Sequence, residues 1–269
     1  YFDNLMPPYR GYGKGVSCYQ CCAYCFVETP ESSPAFQDKL NFVDGKHFTM
    51  GSWQVVSLNL PRMAFKANGN DNALFEEARR LMDLSVEIFR IKRKWMELIR
   101  RRNRIPFATQ RPIDPRTGQK GTSAIDFEGL VNTIGLVGGN EMAQWHTGYQ
   151  LHEHEEAVKI LVKLILEMQK YKKELEARTG VKLALARTPA ESTAQRFAIA
   201  DLLTETYRDN AKKIVKGDLA KAEFMLAEGE KDVPIYYNNG THVYVGANTD
   251  LLERMGIEQK FFPLLNGGN

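Results

Sequence analysis

The sequence predicts an α/β fold built on parallel strands. Three observations carry that expectation: short apolar runs that read as buried strands, long segments with apolar residues at 3–4 spacing that read as helices, and the alternation of the two along the chain. In such folds the loops at the carboxyl ends of the strands usually carry the chemistry. Three of these ends stand out here: "NLPR", "GGNEM" and "RTPAES".

Taken in order, residues 1–50 read as loop-rich, with Pro7, Pro8, Gly11, Gly13 and Gly15 ahead of the cysteines and "TPESSP" after them. In "SWQVVSLNLPRMA" the run Val55, Val56, Ser57, Leu58 predicts a buried strand that ends before Pro61. "NALFEEARRLMDLSVEIFRIKRKWMELIRRRNR" predicts a long amphipathic helix whose face is Leu84, Ile88, Ile91, Trp95 and Leu98. After the polar loop "QRPIDPRTGQKGTS", "GLVNTIGLVGGNEM" reads as a second buried strand closed by a glycine turn. A second long helix, "EHEEAVKILVKLILEMQKYKKELEART", is capped by Gly180. "VKLALART" is a third strand and "PAESTAQRFAIADLL" opens a third helix. "PIYYNNGTHVYVG" predicts a short strand or hairpin turning at Asn238, Asn239 and Gly240.

A chain of 269 residues suits one large domain or two small ones and can bury a core without covalent staples. Its net charge of +3 argues for no particular polyanionic partner. It holds no run of about 18 apolar residues that would span a membrane. The start, "YFDNLMPPYRGYG", has neither the basic flank nor the apolar stretch of a signal peptide, and it reads as the opening of a segment of something longer. Cytoplasmic residence is the resulting expectation, and there structural disulfides are disfavoured.

Every cysteine lies in "SCYQCCAYCF": Cys18, Cys21, Cys22 and Cys25. Two abutting CxxC pairs could ligate zinc, although adjacent Cys21 and Cys22 point in divergent directions and wrap poorly around one ion. They could instead be buried structural thiols, or a redox or radical thiol with a partner able to form a disulfide with it. Spacing leaves the three open. "RTPAESTAQR" carries a separate signal. Thr188 and Pro189 are expected to begin a helix with Pro at its first position and Ser192 and Thr193 in its first turn. Unpaired amides there would favour an anion, and the plain alternative is an ordinary capped helix.

Seven stretches, in order, are "YFDNL", "CCAYCF", "GSWQVVSLNLPRMA", "IFRIKRKWMEL", "NTIGLVGGNEM", "RTPAESTAQR" and "YYNNGTHV". Together they resemble the anaerobic, class III ribonucleoside-triphosphate reductases, a glycyl-radical family, over nearly the whole chain. The resemblance implies a partial ten-stranded α/β barrel with a cysteine finger loop, about residues 15–30, through its centre, and strands and helices over about 50–269. It implies reduction of a ribonucleoside triphosphate by a cysteine thiyl radical that takes the 3′-hydrogen. Aligned on the family's "CCRL", the radical carrier is Cys22; a second register makes it Cys18, and Cys21 and Cys25 are the neighbouring thiols. Ala23 replaces the family's Arg. Where formate-using members have Met, this chain has Gln20, or Val16 in the other register. Those departures favour a dithiol redoxin over formate as reductant.

The resemblance also makes the turn of Thr188, Glu191, Ser192, Thr193 and Ala194 the seat of the substrate phosphates, with Glu191 capping its own helix or meeting ribose. Asn59 would hydrogen-bond a ribose hydroxyl, line the finger loop, or simply cap the turn before Pro61. Asn140 and Glu141 would stand at a strand mouth, where Gly138 and Gly139 let backbone approach a ligand. The resemblance implies that the glycyl radical belongs to a segment expected beyond "LLNGGN" and is installed by an iron–sulfur activase using S-adenosylmethionine, and that this segment works in a homodimer and needs the remaining reductase segments or subunits for turnover. His152 and Glu156, four apart, suit a metal less well than they suit an acidic first helical turn. Arg90, Arg93, Lys94, Arg101 and Arg104 read as a solvated face opposite Trp95 and Leu98, with no direct nucleic acid. Two rival readings are another glycyl-radical enzyme, of the pyruvate formate-lyase kind, and a non-catalytic nucleotide-binding module.

Overall fold

The computed structural model describes residues 16–20, 24–27, 52–109, 118, 127 and 130–266. The chain divides into two compact units, one holding the described residues of 1–55 and 86–133, the other those of 56–85 and 134–269.

In the first unit, β1 (Val16–Gln20) pairs antiparallel with β2 (Tyr24–Val27), with Cys18 opposite Phe26 and Tyr19 opposite Cys25. Cys21 and Cys22 lie outside the described residues, as do Ala23 and most of the polar loop 110–123. Gln54 donates through Nε2 to Asn132 Oδ1 at 3.2 Å, and the Trp53 ring meets Phe127 edge to face at 5.2 Å.

A three-stranded sheet has the order β3 (Ser52–Asn59), β4 (Val131–Val137), β5 (Leu183–Arg187), each strand beside its predecessor. Helices connect the successive strands, giving an α/β fold with a parallel sheet. Among the described residues this sheet has three strands, so the α/β class stands without the ten-stranded closure. β4 and β5 are buried as expected, whereas Val55 of β3 is 41% exposed and that strand is not covered on both faces.

Asn59 ends β3 and caps α1 (Leu60–Ala67), with Pro61 in its first turn. α2 (Asp71–Arg101) is as long as its periodicity predicts, but the buried stripe is Leu74, Ala78, Met82, Val86 and Phe89. The expected face is corrected: Leu84, Ile88, Ile91 and Trp95 are exposed, Trp95 by 60%. The basic residues beside them pair within the helix, Arg90 with Glu87 and Arg100 and Arg101 with Glu97, and Arg104 follows the helix rather than joining its face. A short α3 (Pro106–Thr109) comes next.

In the second unit, α4 (Gly139–Thr147) follows β4 directly, and α5 (Glu155–Thr179) ends on Gly180 at φ 69°. His154 caps α5, taking the Glu156 N–H, so His152 lies in the turn before the helix and not on it with Glu156. α6 (Glu191–Leu203) and α7 (Glu205–Ile214) lead to β6 (Lys216–Gly217), α8 (Leu219–Ala227), β7 (Ile235–Tyr236) and α9 (Leu251–Glu258). Of the short strand or hairpin expected over 234–246, the structure has the short strand, β7, which pairs with β6, while Asn239 bridges back to Val137 of β4. Phe65, Ala198, Leu202, Ile214, Val233, Ile235 and Tyr237 form a core beneath these elements. Among the described residues no helix is long and apolar enough to cross a membrane.

Candidate functional site

Pro189 precedes the third helix instead of opening it. α6 begins at Glu191, Ala190 is its cap, and no side chain satisfies the first amides. A proline biases the residue before it toward extended backbone, so Thr188 continues from β5 and the helix starts later. A Cβ at Gly135 would lie 1.9 Å from Thr188 Oγ1 and 3.1 Å from Ser57 Oγ, so glycine in β4 makes room for the threonine. The Thr188 hydroxyl is buried with no hydrogen-bond partner.

A cavity of about 1000 Å³ opens against the start of α6. Glu191, Ser192 and Ala194 line it, with the 233–239 stretch, His242, Val243 and residues of α9 completing the wall. Thr188 and Thr193 are not among its lining residues. The structure therefore gathers Glu191, Ser192 and Ala194 at one opening and leaves the two threonines behind it.

Asn140 and Glu141 are wholly buried beneath this wall. The Glu141 carboxylate accepts from Asn238 N at 2.9 Å, Asn238 Nδ2 at 2.7 Å and Asn140 Nδ2 at 3.0 Å. Burial pushes its carboxyl up, against the pull of the Lys216 charge and those donors. Asn140 in turn accepts from Leu151 N at 3.1 Å. Lys216, itself lowered by burial, donates to Gln144 and Gln150. The glycine pair has the same role: Gly138 N donates to Asn238 O and Gly139 N to Gly240 O, each at 2.8 Å. A Cβ on Gly139 would meet Gly240 O at 2.8 Å. What the glycines admit here is the chain's own 238–240 segment.

Asn59 does two things at once. Its Oδ1 accepts the Arg62 N–H at 3.1 Å, and its Nδ2 donates to Asp201 Oδ2 at 2.9 Å. Asp201, fully buried on α6, also takes Arg62 Nε at 2.6 Å and the Tyr237 hydroxyl at 3.0 Å. Burial, then the Asp201 charge, pushes the Tyr237 phenol up. Tyr237 lines the cavity, so Asn59 sits behind the wall through Asp201.

Sequence reasoning passed over Asp201, Tyr237, Glu258 and His242. Glu258 of α9 takes His242 Nδ1 at 2.9 Å, Arg187 Nη1 at 3.1 Å and Val243 N at 3.1 Å. Burial alone would raise its carboxyl, but the imidazole, the amide and the guanidinium together hold it below the usual range. The "THV" of the seventh stretch was the available signal for His242. Among the described residues no group of three or more His, Cys, Asp or Glu is arranged to hold a metal.

Comparison with known proteins follows the same lines. The sequences of curated proteins give no match. The Thermotoga maritima anaerobic ribonucleotide reductase with citrate in the active site shares the fold at a TM-score of 0.60 and 18% identity, over 82% of this chain and 34% of that one. The same enzyme in complex with dATP and CTP gives 0.59 and 17%, over 81% and 32%. A further structure, described as an anaerobic ribonucleotide reductase, gives 0.59 and 17%, over 82% and 30%. The chain thus spans about a third of the length of these structures. The model of one family covers it from end to end, residues 1–269, and the chain belongs to that family, the anaerobic ribonucleoside-triphosphate reductases.

Proposed function

We propose that this chain forms part of the catalytic barrel of an anaerobic ribonucleoside-triphosphate reductase and seats the substrate in the cavity at the start of α6. The observation that carries the reading is the meeting of that cavity with Glu191 and Ser192 of the "TPAES" turn and with Ala194 just after it. Free amides at a helix start and a hydroxyl beside them suit phosphate oxygens. The apolar wall of Val233, Pro234, Val243 and Val245 suits the rest of a nucleotide. Ribonucleoside triphosphate is the substrate class because a relative of the same fold is described with CTP bound.

The reacting group in this reading is the Cys22 sulfur, with Cys18 as the other register. β1 and β2 supply a hairpin on either side of Cys21 and Cys22 in sequence and carry Cys18 and Cys25, a thiol set that suits hydrogen-atom and dithiol chemistry and fits the family's radical cofactor. A glycyl radical elsewhere in the reductase, installed by an S-adenosylmethionine-dependent iron–sulfur activase, would supply the unpaired electron by taking the hydrogen of that thiol. The thiyl sulfur then takes the 3′-hydrogen: an S–H bond forms, the C3′–H bond breaks, and the radical passes to the sugar. The 2′-hydroxyl leaves with a proton as water, a dithiol closes to a disulfide as it supplies two electrons and the hydrogen that C2′ gains, and the S–H gives its hydrogen back to C3′, which returns the radical to sulfur. An S–H bond close in strength to an activated ribose C–H keeps the transfer reversible, while the protein contributes orientation and shelter. A redoxin, the activase, the remaining reductase segments and a second copy are the partners in this reading.

The test is turnover of CTP to its deoxynucleotide in the anaerobic, reconstituted reductase. Cys22→Ala is expected to abolish it, with Cys18→Ala retaining a measurable rate. Undiminished turnover by both variants would contradict the reading.

A further inference from the structure

The cavity has a second polar feature away from α6, and its reading rests on the nucleotide site proposed above. His242 lines the cavity with its side chain 42% exposed, and its Nδ1 meets Glu258 Oε2 at 2.9 Å. Glu258 is held ionised by its partners, so it carries no proton to give, and Nδ1 must be the donor. That fixes the ring and leaves Nε2 for a ligand, as an acceptor in the neutral ring and as a donor in the imidazolium. Arg187, 3% exposed, completes the support by pairing with the same carboxylate at 3.1 Å.

The rest of the lining narrows the ligand. The cationic residue types on the cavity wall are His242 and Arg254. Arg254 directs three of its N–H groups to the carbonyls of Val243, Tyr244 and Val245 at 3.2–3.3 Å, and it keeps its charge on that side of the wall. Glu191, the first residue of α6, places a carboxylate at the helix start, where it opposes a bound anion. A polyphosphate seated there needs a charged donor from another wall, and His242 as the imidazolium gives one alongside the Arg254 charge.

We propose that His242, as the imidazolium held by Glu258 through Nδ1–H, donates its Nε2–H to a phosphate oxygen of the bound ribonucleoside triphosphate. It is a substrate-contacting residue in this account, and Glu258 and Arg187 are positioning residues.

Calorimetric titration of the full chain with CTP and with tripolyphosphate, before and after His242→Asn, tests it. Both ligands are expected to bind the variant about tenfold more weakly, the loss of one charge-assisted hydrogen bond. Unchanged affinities in the variant, with wild-type binding intact, would overturn the proposal and leave the nucleotide site standing. No binding of CTP by the wild type would overturn both. A second measurement separates contact from folding. In wild-type chain carrying ¹⁵N-histidine, tripolyphosphate is expected to shift the Nε2 resonance of His242, and a resonance that stays put at saturation would overturn the contact.

Discussion

Glu141 accepts from the backbone N–H of Asn238, and Glu258 from that of Val243, so the stretch of cavity wall between them is gripped at both ends by a buried carboxylate. The two grips differ in what neutralises the charge. Glu141 has neutral amides around it and, among the described residues, no cation within ion-pair distance; burial raises its carboxyl against the more distant pull of Lys216. Glu258 has Arg187 and His242 against it, and its carboxyl is lowered although it too is buried. The two carboxylates therefore have opposite protonation preferences: Glu141 is wholly enclosed among neutral donors, whereas Glu258 is less deeply buried and has an imidazole and a guanidinium against it. The Glu141 end is an architectural clamp, and the Glu258 end couples the wall to an imidazole that a ligand can reach.

The difference can be broken from either side. Glu258→Gln should cost the most, about 3–5 kcal/mol, because it leaves the Arg187 guanidinium buried without its carboxylate; urea denaturation would measure it. Glu141→Gln should cost about 1–3 kcal/mol by the same measurement, since the amide keeps one acceptor but turns a donor toward Asn238 or Asn140.

Acid sharpens the comparison. Glu258, with its folded-state carboxyl below the ordinary 4.5, contributes stability above that pH which is lost on further acidification. Glu141, with its carboxyl above the ordinary 4.5, contributes most below that pH and loses its contribution as pH rises through the folded-state value. Relative to wild type, the deficit of Glu258→Gln should shrink from neutral pH down through 4.5, and that of Glu141→Gln should grow. Parallel behaviour would erase the distinction.

Smaller effects follow. Tyr237→Phe removes one of the donors on Asp201 and should cost about 1 kcal/mol, because Asn59 and Arg62 remain on that carboxylate. Trp95→Gln, on the exposed face of α2, should stay within about 0.5 kcal/mol. Thermal denaturation of the two variants side by side would check both.

Local rules made much of the fold legible. The apolar run of β4, the glycine turn after it, and Gly180 behind α5 each follow from a rule acting over a few residues. The face of α2 was not legible, because the helix carries two adjacent apolar stripes. Leu74, Ala78, Met82 and Phe89 satisfy the helical period as well as Leu84, Ile88, Ile91 and Trp95 do, and tertiary packing chooses between them. At the site, the motif "TPAES" located the helix start but placed it too early, since Pro189 holds Thr188 in the strand's path. "NEM" pointed to Asn140 and Glu141, whose partner Asn238 lies 97 residues beyond the glutamate. Asp201 and Glu258 carried no motif, as a buried carboxylate is recognised by partners that only the folded chain assembles.

Hydrogen exchange of the backbone amides, with and without saturating CTP, tests the central claim most directly: that the wall held by Glu141 and Glu258 and the start of α6 form one nucleotide site. The account expects slowed exchange concentrated in residues 191–195 and 236–243. Protection confined to other segments, with these two unchanged at saturation, would contradict it.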